Sequence, residues 1–478
     1  MGRRYLVVLL LALAAAAAGV LTRGTEGTSA PSPAPSAKSA KEPTRRAKLG
    51  PLRVLRSNPR YFTDGTGRAV YLTGSHVWWN LGDRTWPVEC LSVGPARFDY
   101  ANYLDRLVRY NHNFFRLWTF ELTRWKECGA TVDVAPQPWL RTGPGIARDG
   151  LPKFDLTRLD PAYFARLRRR VAQAGTRRIY VSVMLFEGWS LQFAQQPWRW
   201  DAHPFNAANN VNGIDGDPNG DGVGTESHTL ANRRVVKLQE RYVRRAVDAV
   251  NDLDNVLFEV ANESGAYSTS WQYHMIRIVQ RHEARKRKQH PVGMTFQNAN
   301  GTNGSLYASP AGWVSPAGGK PFLDDPPLAN ARQVSLSDTD HHCGLCGDRH
   351  FPWKALMRGH NPIFMDPMDA HEEREAVRWA MGNARHYANR IDLAASRPRP
   401  DLASTRFCLA VPGKEYLVYQ PGSGAFSVDL RASRSRFRIE WFEPSTGRRW
   451  ITGRIRGGAH RTLTPPVDTP VVLYLKAA

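Results

Sequence analysis

The sequence is short of acidic residues and of repeated segments, and each shortage narrows the classes of protein it fits. Only 43 Asp and Glu stand against 65 Lys and Arg in 478 residues, so the formal net charge is +22. Such a charge either attracts an anionic polymer or membrane surface or keeps a protein soluble. No basic run alternates with aromatic residues, so we expect no nucleic-acid partner and interpret the charge as favouring solubility. No segment repeats along the chain, so no repeat architecture is predicted.

Cysteine is also scarce, with five residues, and an odd number leaves at least one thiol unpaired. Cys343 and Cys346 are close enough in sequence to form a tight local disulfide. Cys90 and Cys128 each follow a candidate strand and could meet at one end of the fold. Cys408 is then the expected free thiol.

The N-terminus carries an export pattern. Arg3 and Arg4 precede an apolar run from Tyr5 to Leu21, which is typical of a secretory signal peptide, although an uncleaved membrane anchor is the alternative. Residues 23–50 are rich in Ser, Ala, Pro and Lys and are predicted to be a disordered linker. We therefore expect residues 1–22 to direct the protein to secretion or to the cell surface.

Hydrophobic residues make up 42% of the chain, which excludes wholesale disorder. From residue 51, short apolar runs alternate with amphipathic stretches, and this order predicts an α/β fold, a (β/α)8 TIM barrel over residues 51–396. We predict strands at Val70–Gly74, Phe114–Trp118, Ile179–Phe186, Val256–Val260, Val292–Phe296, Val334–Leu336 and Ile363–Met365, with an eighth placed loosely near residues 386–393. We predict helices at Tyr103–Tyr110, Pro161–Ala174, Arg233–Val250, Gln272–Lys286 and Glu372–Tyr387.

The pattern changes after a linker-like stretch at residues 397–400. Short runs of alternating polarity follow, punctuated by Gly and Pro, and they predict a small antiparallel β-sandwich over residues 397–478. Its predicted strands are Phe407–Val411, Glu415–Tyr419, Ala425–Leu430, Phe437–Phe442 and Val471–Leu475.

The clearest sign of chemistry lies at the end of the fourth predicted strand, where Asn262 and Glu263 follow an apolar run. Catalytic groups of such barrels lie at the C-terminal ends of the strands. A carboxyl group there can protonate a glycosidic oxygen, and the neighbouring amide can bind a sugar hydroxyl. The alternative is that the pair simply caps the next helix.

The Asn262-Glu263 pair resembles the superfamily of retaining barrel glycosidases with catalytic carboxylates on strands four and seven. Residues 58–80 resemble the opening of cellulase-like barrels of the apiosidase-related branch. Residues 114–118 resemble their second strand, where an Arg, here Arg116, supports the nucleophile. Residues 414–424 and 439–447 resemble the so-called collagen-binding β-domain often fused behind such barrels. The resemblance covers nearly all of residues 51–478 and implies that Glu263 is the general acid/base.

The second carboxylate is expected after strand seven, where Asp366 follows the last predicted strand. A retaining mechanism needs two carboxyl groups about 5–5.5 Å apart. The family pattern has Glu at this position and Asp is one methylene shorter, so Asp369 and Glu373 are alternatives. If none can reach the sugar, the barrel is inverting or inactive.

Other side chains follow the ends of predicted strands and are candidates for binding the substrate. They are His76, Trp78, Trp79, Trp118 and Glu121, together with Asp340 and His341 after the predicted sixth strand. His341, His342, Cys343 and Cys346 also suggest zinc, but these ligands are crowded in sequence and lack a second ligand pair, so zinc is not expected.

The long loop after the third strand matches the calcium-loop pattern D-x-[DN]-x-[DN]-G-x5-E. Its expected ligands are Asp215, Asp217, Asn219, Asp221 and Glu226. Because helices on both sides of the loop are doubtful, we predict an isolated structural calcium site rather than an EF-hand. The alternative is an acidic turn that binds nothing.

Together these patterns predict a glycoside hydrolase that cleaves a poly- or oligosaccharide, with retention and with no cofactor required for the chemistry. The alternative is a non-catalytic surface protein that binds glycan or matrix on a degenerate barrel. The sequence does not define the sugar, the linkage or an oligomeric state.

Overall fold

A computed structural model describes the chain at residues 50–84, 98–127, 130–192, 198–298 and 300–478. The predicted signal or anchor at residues 1–22, nearly all of the linker and the expected pairing of Cys90 with Cys128 lie outside these residues. Within them, the structure contains no helix long and apolar enough to cross a membrane.

Eight parallel strands form a barrel, in the hydrogen-bonded order β1-β8-β7-β6-β5-β4-β3-β2. Asn113 joins β2 to β1, because its N–H donates to Thr73 O and its Oδ1 accepts from Thr73 N, each at 3.0 Å. The two edges approach so closely that a Cβ on Gly74 would lie 1.8 Å from Phe114 O. The strands are β1 Gly74–His76, β2 Phe114–Leu117, β3 Tyr180–Glu187, β4 Val256–Asn262, β5 Val292–Thr295, β6 Trp313–Ser315, β7 Val334–Asp338 and β8 Asn361–Met365.

A helix follows each strand, which confirms the predicted (β/α)8 fold. The helices are α1 Tyr100–Arg109, α2 Pro161–Thr176, α3 Arg233–Val250, α4 Thr269–Glu283, α5 Asn303–Tyr307, α6 Gly319–Asp324, α7 Phe351–Met357 and α8 Glu372–Ala388. In α3, Asn232 caps the N-terminus by accepting from Val235 N at 3.3 Å, and the face that includes Val243 and Val247 is buried.

The strand count of the sequence analysis is wrong at one point, and the error matters for the site. The three-residue strand β6, Trp313–Ser315, was not predicted because it is too short to show a hydrophobic period. The strand at Val334 is therefore the seventh and not the sixth, and that at Ile363 is the eighth. Residues 386–393 hold the end of α8 and the turn after it, not a strand.

The loops on the C-terminal rim of the barrel contain secondary structure of their own that was not predicted. Between β2 and α2, a hairpin pairs Trp139–Ile146 with Pro152–Leu159, and Ala130–Ala135 pairs with both Arg124–Glu127 and Asp83–Arg84. The loop after β3 contains a short helix at Trp198–Asp201 and ends in a 3-10 turn at Thr225–His228. On the N-terminal side of the chain, Arg53–Val54 pairs with Phe62–Thr63.

Antiparallel strands complete the chain and confirm the predicted small β-sandwich. A six-stranded sheet in the order β9-β10-β11-β16-β13-β14 faces a two-stranded sheet of β12 and β15. The strands are β9 Arg397–Pro398, β10 Cys408–Val411, β11 Glu415–Gln420, β12 Phe426–Asp429, β13 Arg436–Glu443, β14 Arg448–Arg456, β15 His460–Leu463 and β16 Val471–Ala477. Of these, β9, β14 and β15 were not predicted, and β9 lies in the stretch that the sequence analysis interpreted as linker-like. Cys408 is a buried free thiol, as expected.

The six-stranded sheet is apolar on both faces because both faces are covered. On β11, Tyr416 and Val418 point into the core of the sandwich, while Leu417 and Tyr419 pack on barrel helices α7 and α8. Arg390, just after α8, forms an ion pair with Glu440 of β13, and Tyr387 donates to Glu440 Oε1 at 2.8 Å. The C-terminal sheets thus buttress the barrel at α7 and α8.

Candidate active site

Glu263 follows β4 at the C-terminal rim of the barrel, and its backbone is unusual. All seven residues of β4 are buried, whereas the Glu263 side chain is partly exposed. The backbone of Glu263 has φ = +53°, a left-handed conformation that costs a non-glycine residue roughly 1–2 kcal/mol. Gln192 holds this conformation, since its Nε2 donates to both the main-chain oxygen and Oε2 of Glu263, each at 2.8 Å. A strained residue at a rim is a hallmark of a functional position.

The environment of Glu263 suits a proton donor at neutral pH. Burial and the nearby Asp340 carboxylate raise its pKa to about 7, against the opposing effects of Gln192, Arg116 and Arg199. A carboxyl group with this pKa is half protonated at neutral pH and can act as a general acid.

Arg116 of β2 organises the interior of the barrel beneath Glu263. Its guanidinium is fully buried and uses all five N–H donors. Nε and Nη2 donate to the two carboxylate oxygens of Glu259 at 2.9 and 2.6 Å, and Nη2 also donates to Asn262 Oδ1 at 2.5 Å. Nη1 donates to Asp338 Oδ2 and to Asp340 Oδ2, each at 3.0 Å. Because β2, β4 and β7 are not neighbours, these groups can meet only inside the barrel.

Two aspartates come from the end of β7, and their surroundings differ. Asp338 is fully buried, and His76 Nε2 lies 3.0 Å from its Oδ1. Burial disfavours its charge, but His76 and Arg116 outweigh that penalty and hold its pKa well below the ordinary value. Asp340 lies two residues further along, and burial raises its pKa against the opposing pull of Arg116. The negative charge of Asp340 in turn disfavours ionisation of Glu263.

Most of the predicted substrate-binding side chains gather around Arg116. The Trp118 ring lies 4.9 Å from the Arg116 guanidinium carbon and is stacked on His76 at 5.7 Å. His341 Nε2 lies 3.3 Å from Asn262 Oδ1, and its Nδ1 lies 2.7 Å from Ser315 Oγ. The structure thus brings His76, Arg116, Trp118, Asn262, Glu263, Asp340 and His341 into one cluster.

Three other predicted side chains lie at or beyond the edge of this cluster. Trp79 is buried and packs against Phe98 and the guanidinium of Arg84, so its ring belongs to the protein core. Trp78 is half-buried and stacks on Trp79 at 5.5 Å. Glu121 is bonded to His228 behind the rim. Of the two tryptophans, only Trp78 retains an accessible ring near the rim.

The structure does not bring Asp366 and Glu263 together. Asp366 follows β8, not strand seven as predicted, and it is fully buried. Arg378 of α8 donates to both of its oxygens, at 2.6 and 2.7 Å. Since α8 lies outside the barrel, this carboxylate points away from Arg116. The alternatives fare no better, because Asp369 is paired with Arg374 and Glu373 is exposed on α8.

Sequence reasoning missed Glu259, Asp338, Glu187 and Gln192. For Glu259 a signal existed: it is the only charge within the apolar strand β4, as Arg116 is within β2. A lone acid and a lone base in two buried strands indicate a buried ion pair. Asp338 is the last residue of β7, and the sequence analysis named only Asp340 and His341 at that strand end. Glu187 and Gln192 carry no signal, because only the folded loop places them near Glu263.

The predicted calcium loop folds so that its acidic groups converge. The carboxylates of Asp217, Asp221 and Glu226 offer oxygens within 4.8 Å of one another. Asn219 Nδ2 donates to Asp221 Oδ2 at 3.1 Å and to Glu226 Oε1 at 2.7 Å, so the amide lies at the same point. Asp215 is turned differently, since its Oδ1 accepts from Asp217 N at 3.0 Å. Burial, and secondarily the neighbouring carboxylates, raise the pKa of Asp217 and Glu226.

The alternative of a zinc site is excluded by the cysteines. Cys343 and Cys346 form a disulfide, as the sequence predicted, with their Cα atoms 5.7 Å apart. His342 Nε2 is engaged with Ser337 Oγ at 3.0 Å. Disulfide sulfurs are not thiolate ligands, so the four residues cannot form a closed zinc site.

Comparison with known proteins supports the fold. A domain of unknown function, DUF6298, matches residues 124–299, which include β3, the acidic loop and Glu263. A solved structure described as a glycoside hydrolase superposes with a TM-score of 0.56 at 10% identity, covering 90% of this chain and 97% of its own. A glycoside hydrolase family 5 structure from Bacteroides vulgatus gives the same TM-score and identity, covering 90% and 94%. Comparison with curated protein sequences finds no match.

Proposed function

We propose that the protein is a glycoside hydrolase in which Glu263 is the general acid/base and Asp340 is the nucleophile. The observation that carries the proposal is the bonding of Arg116. One guanidinium binds Asp340 through Nη1 and, through Nη2, the amide of Asn262, which immediately precedes Glu263. It thereby ties together the acidic ends of β4 and β7 at the same rim. The fold shared with glycoside hydrolases supports this assignment.

The chemistry follows from the charges. Glu263, protonated near neutral pH, donates its proton to the glycosidic oxygen as the bond to the anomeric carbon breaks. The Asp340 carboxylate attacks that carbon and forms a covalent glycosyl ester. Glu263, now ionised, then removes a proton from water, which hydrolyses the ester and releases a sugar of retained configuration. Arg116 orients Asp340 and favours its ionised form before the attack and again when the ester is hydrolysed.

The substrate class is carbohydrate, a poly- or oligosaccharide that reaches the rim from outside. Trp78 is half-buried at the edge of the charged cluster, and an indole face is suited to stacking on a sugar ring. The apiosidase-related branch and the collagen-binding β-domain rest on sequence resemblance alone. Export to secretion or the cell surface is likewise a proposal, based on residues 1–22.

The experiment is a hydrolysis screen against a glycan and aryl-glycoside library, with the product anomer followed by NMR. We expect the wild-type protein to give the retained anomer, and Glu263→Gln and Asp340→Asn to abolish turnover while folding normally. Glu373→Gln is a matched control, because this exposed carboxylate on α8 lies near β8 in sequence but outside the cluster. Unchanged turnover in Glu263→Gln, or an inverted product, contradicts the proposed mechanism. A folded protein that binds glycans but hydrolyses none would favour the alternative of a surface-binding protein.

We also propose that the acidic loop binds calcium as a structural ion. Calcium takes six to eight oxygen ligands, and Asp217, Asp221 and Glu226 are placed to supply part of that set. Asn219 now donates through Nδ2 to two of these carboxylates, so its amide would have to turn for Oδ1 to face the ion. Gly220, at φ = +72°, permits the sharp turn that the motif requires. The chemistry at Glu263 does not need the ion.

A further inference from the structure

A hydrogen-bonded series of three side chains lies directly behind Glu263: His228 and Ser264 are fully buried, and Glu121 is largely so. His228 Nε2 lies 2.8 Å from Glu121 Oε2, and His228 Nδ1 lies 2.9 Å from Ser264 Oγ. Glu121 follows β2, His228 ends the loop after β3, and Ser264 follows β4 next to Glu263. Three separate loops therefore meet at the residue after the proposed acid/base.

Glu121 sets the direction of the hydrogen bond that it forms with His228. The pKa of Glu121 is lowered to about 2, because the attraction and hydrogen bonds of His228 and His203 outweigh the effect of its burial. A carboxylate can only accept, so His228 Nε2 carries a proton and donates it to Glu121. The other ring nitrogen, Nδ1, is thereby turned toward the hydroxyl of Ser264, which can either donate or accept.

Packing fixes the histidine in one orientation. Its ring is fully buried and stacks on Trp271 of α4, with centroids 4.2 Å apart and an interplanar angle of 10°. Gln239 of α3 connects the 3-10 turn that holds His228 with α4. It donates to Ser227 O at 2.7 Å and accepts from Trp271 Nε1 at 2.9 Å. His228 is thus a rigid connection between Glu121 and Ser264.

Ser264 is clamped from its other side as well. A Cβ on Gly188, just after β3, would lie 2.4 Å from Ser264 Oγ and 2.7 Å from Ser264 N, so the backbone passes against the serine with no space to spare. Gly188 N also donates to Asn262 O at 2.7 Å. Because its hydroxyl is fully buried, Ser264 cannot act as a nucleophile toward a sugar or an ester, although the three residues have the order of a Ser-His-acid triad.

We propose that Glu121, His228 and Ser264 are positioning residues that lock the left-handed turn at Glu263 and so fix the reach of its carboxyl group toward the leaving-group oxygen. Asn262, on one side of Glu263, is held by Arg116, and Ser264, on the other side, is held by His228. The turn between them, at φ = +53°, therefore has both flanks anchored. This inference rests on the proposed function and adds a role for residues that the mechanism does not otherwise use.

The test uses Ser264→Ala, which removes the hydroxyl and retains the Cβ. Two aryl glycosides of the sugar that the wild-type protein cleaves are compared: one with a phenyl leaving group, which needs protonation, and one with a 2,4-dinitrophenyl leaving group, which does not. Misplacement of a catalytic group by about 1 Å can cost about 100-fold. We expect kcat/KM for the phenyl glycoside to fall by roughly 10- to 100-fold, while that for the dinitrophenyl glycoside changes little.

Ser335→Ala is the matched control. Ser335 lies at the opposite end of β7, is buried, and makes the same kind of bond, with its Oγ 2.7 Å from His360 Nδ1. The Ser335→Ala variant should lose as much thermal stability as Ser264→Ala, and its kcat/KM should be unchanged for both glycosides. His228→Gln provides a second variant, which should show the same selective loss for the phenyl glycoside.

The outcomes are distinguishable from failure of the proposed function. Equal losses on both substrates in Ser264→Ala and His228→Gln, or no loss on either, would overturn the positioning role while leaving Glu263 as the acid/base. A folded wild-type protein that cleaves neither glycoside nor any member of the library would overturn the proposed function, and this inference with it.

Discussion

Neighbouring strands β7 and β8 each deliver an aspartate to the same rim of the barrel, and the two aspartates have opposite surroundings. Asp340 is bonded to Arg116, which reaches it from inside the barrel. Asp366 is bonded through both oxygens to Arg378, which reaches it from a helix outside. Both carboxylates are buried and paired, so neither burial nor pairing distinguishes them. They differ in the side from which the arginine comes, and on that difference we propose a catalytic role for Asp340 and a structural role for Asp366.

The two aspartates can be tested directly by neutralising each in turn and measuring kcat with the best substrate. We expect Asp340→Asn to lose about 10⁴-fold or more in kcat, a loss typical of removing one member of a catalytic unit. Asp366→Asn should stay within a few-fold of wild type, since Arg378 does not contact Glu263 or Asp340. A large loss in Asp366→Asn that persists in fully folded protein would restore Asp366 as the nucleophile.

Stability should show the reverse order. Removing one partner of a buried ion pair costs about 3–5 kcal/mol, because the other charge is left unpaired. We therefore expect Asp366→Asn to lower the free energy of unfolding by about that amount, measured by urea denaturation. Asp340→Asn should cost less, because Arg116 retains Glu259 and Asp338. Substituting Arg378→Met in the Asp366→Asn background should recover part of the loss, and a failure to recover would show that Arg378 contributes mainly through packing.

The next effect concerns protonation of Glu263. The pKa of Glu263 is raised to about 7 by burial and by Asp340. Above pH 7 the proton donor ionises, so kcat/KM should fall tenfold per pH unit. The Asp366→Asn variant should keep this limb in place. In Asp340→Asn the pKa of Glu263 should drop, which a carboxyl-labelled NMR titration can follow without turnover. An unshifted pKa in that variant would mean that the two carboxyl groups are too far apart to act on one anomeric carbon.

The comparison also shows how far sequence could go. The strand-four motif located Glu263 because an apolar strand that ends in Asn262-Glu263 puts both side chains at a fixed place, the rim. Asp366 was placed after strand seven because β6 has only three residues and was not detected, so every later strand was counted one too low. Local periodicity cannot detect such a strand, since its place is fixed by pairing with β5 and β7 rather than by its own pattern.

The hydrogen bonds behind Glu263 could not be predicted from the sequence, for a different reason. Glu121, His228 and Ser264 are separated by 107 and 36 positions, and each is an ordinary polar residue in its own loop. Their bonding depends on how three loops of the barrel close over one another. By contrast, the convergence of Asp217, Asp221 and Glu226 could be predicted from the sequence, because they lie within one twelve-residue motif whose geometry is local; calcium binding there stays a prediction.

The acidic loop presents carboxylates in a third kind of surroundings, without an arginine, and its effect on stability is expected to be the smallest. None of the ion pairs among the described residues includes Asp217, Asp221 or Glu226, so these carboxylates need a cation where Asp340 and Asp366 have an arginine. At a calcium concentration 100 times Kd, binding should stabilise the fold by about 2.7 kcal/mol, visible as a rise in Tm that a chelator reverses. Asp221→Asn should weaken this response, and Asp64→Asn, a control on an exposed turn, should not.

Because Glu226 and His228 lie in one 3-10 turn, chelation should also reduce turnover of the phenyl glycoside slightly more than that of the dinitrophenyl glycoside. A Tm insensitive to calcium would show that repulsion among the three carboxylates is relieved by proton uptake instead, in keeping with the raised pKa values of Asp217 and Glu226.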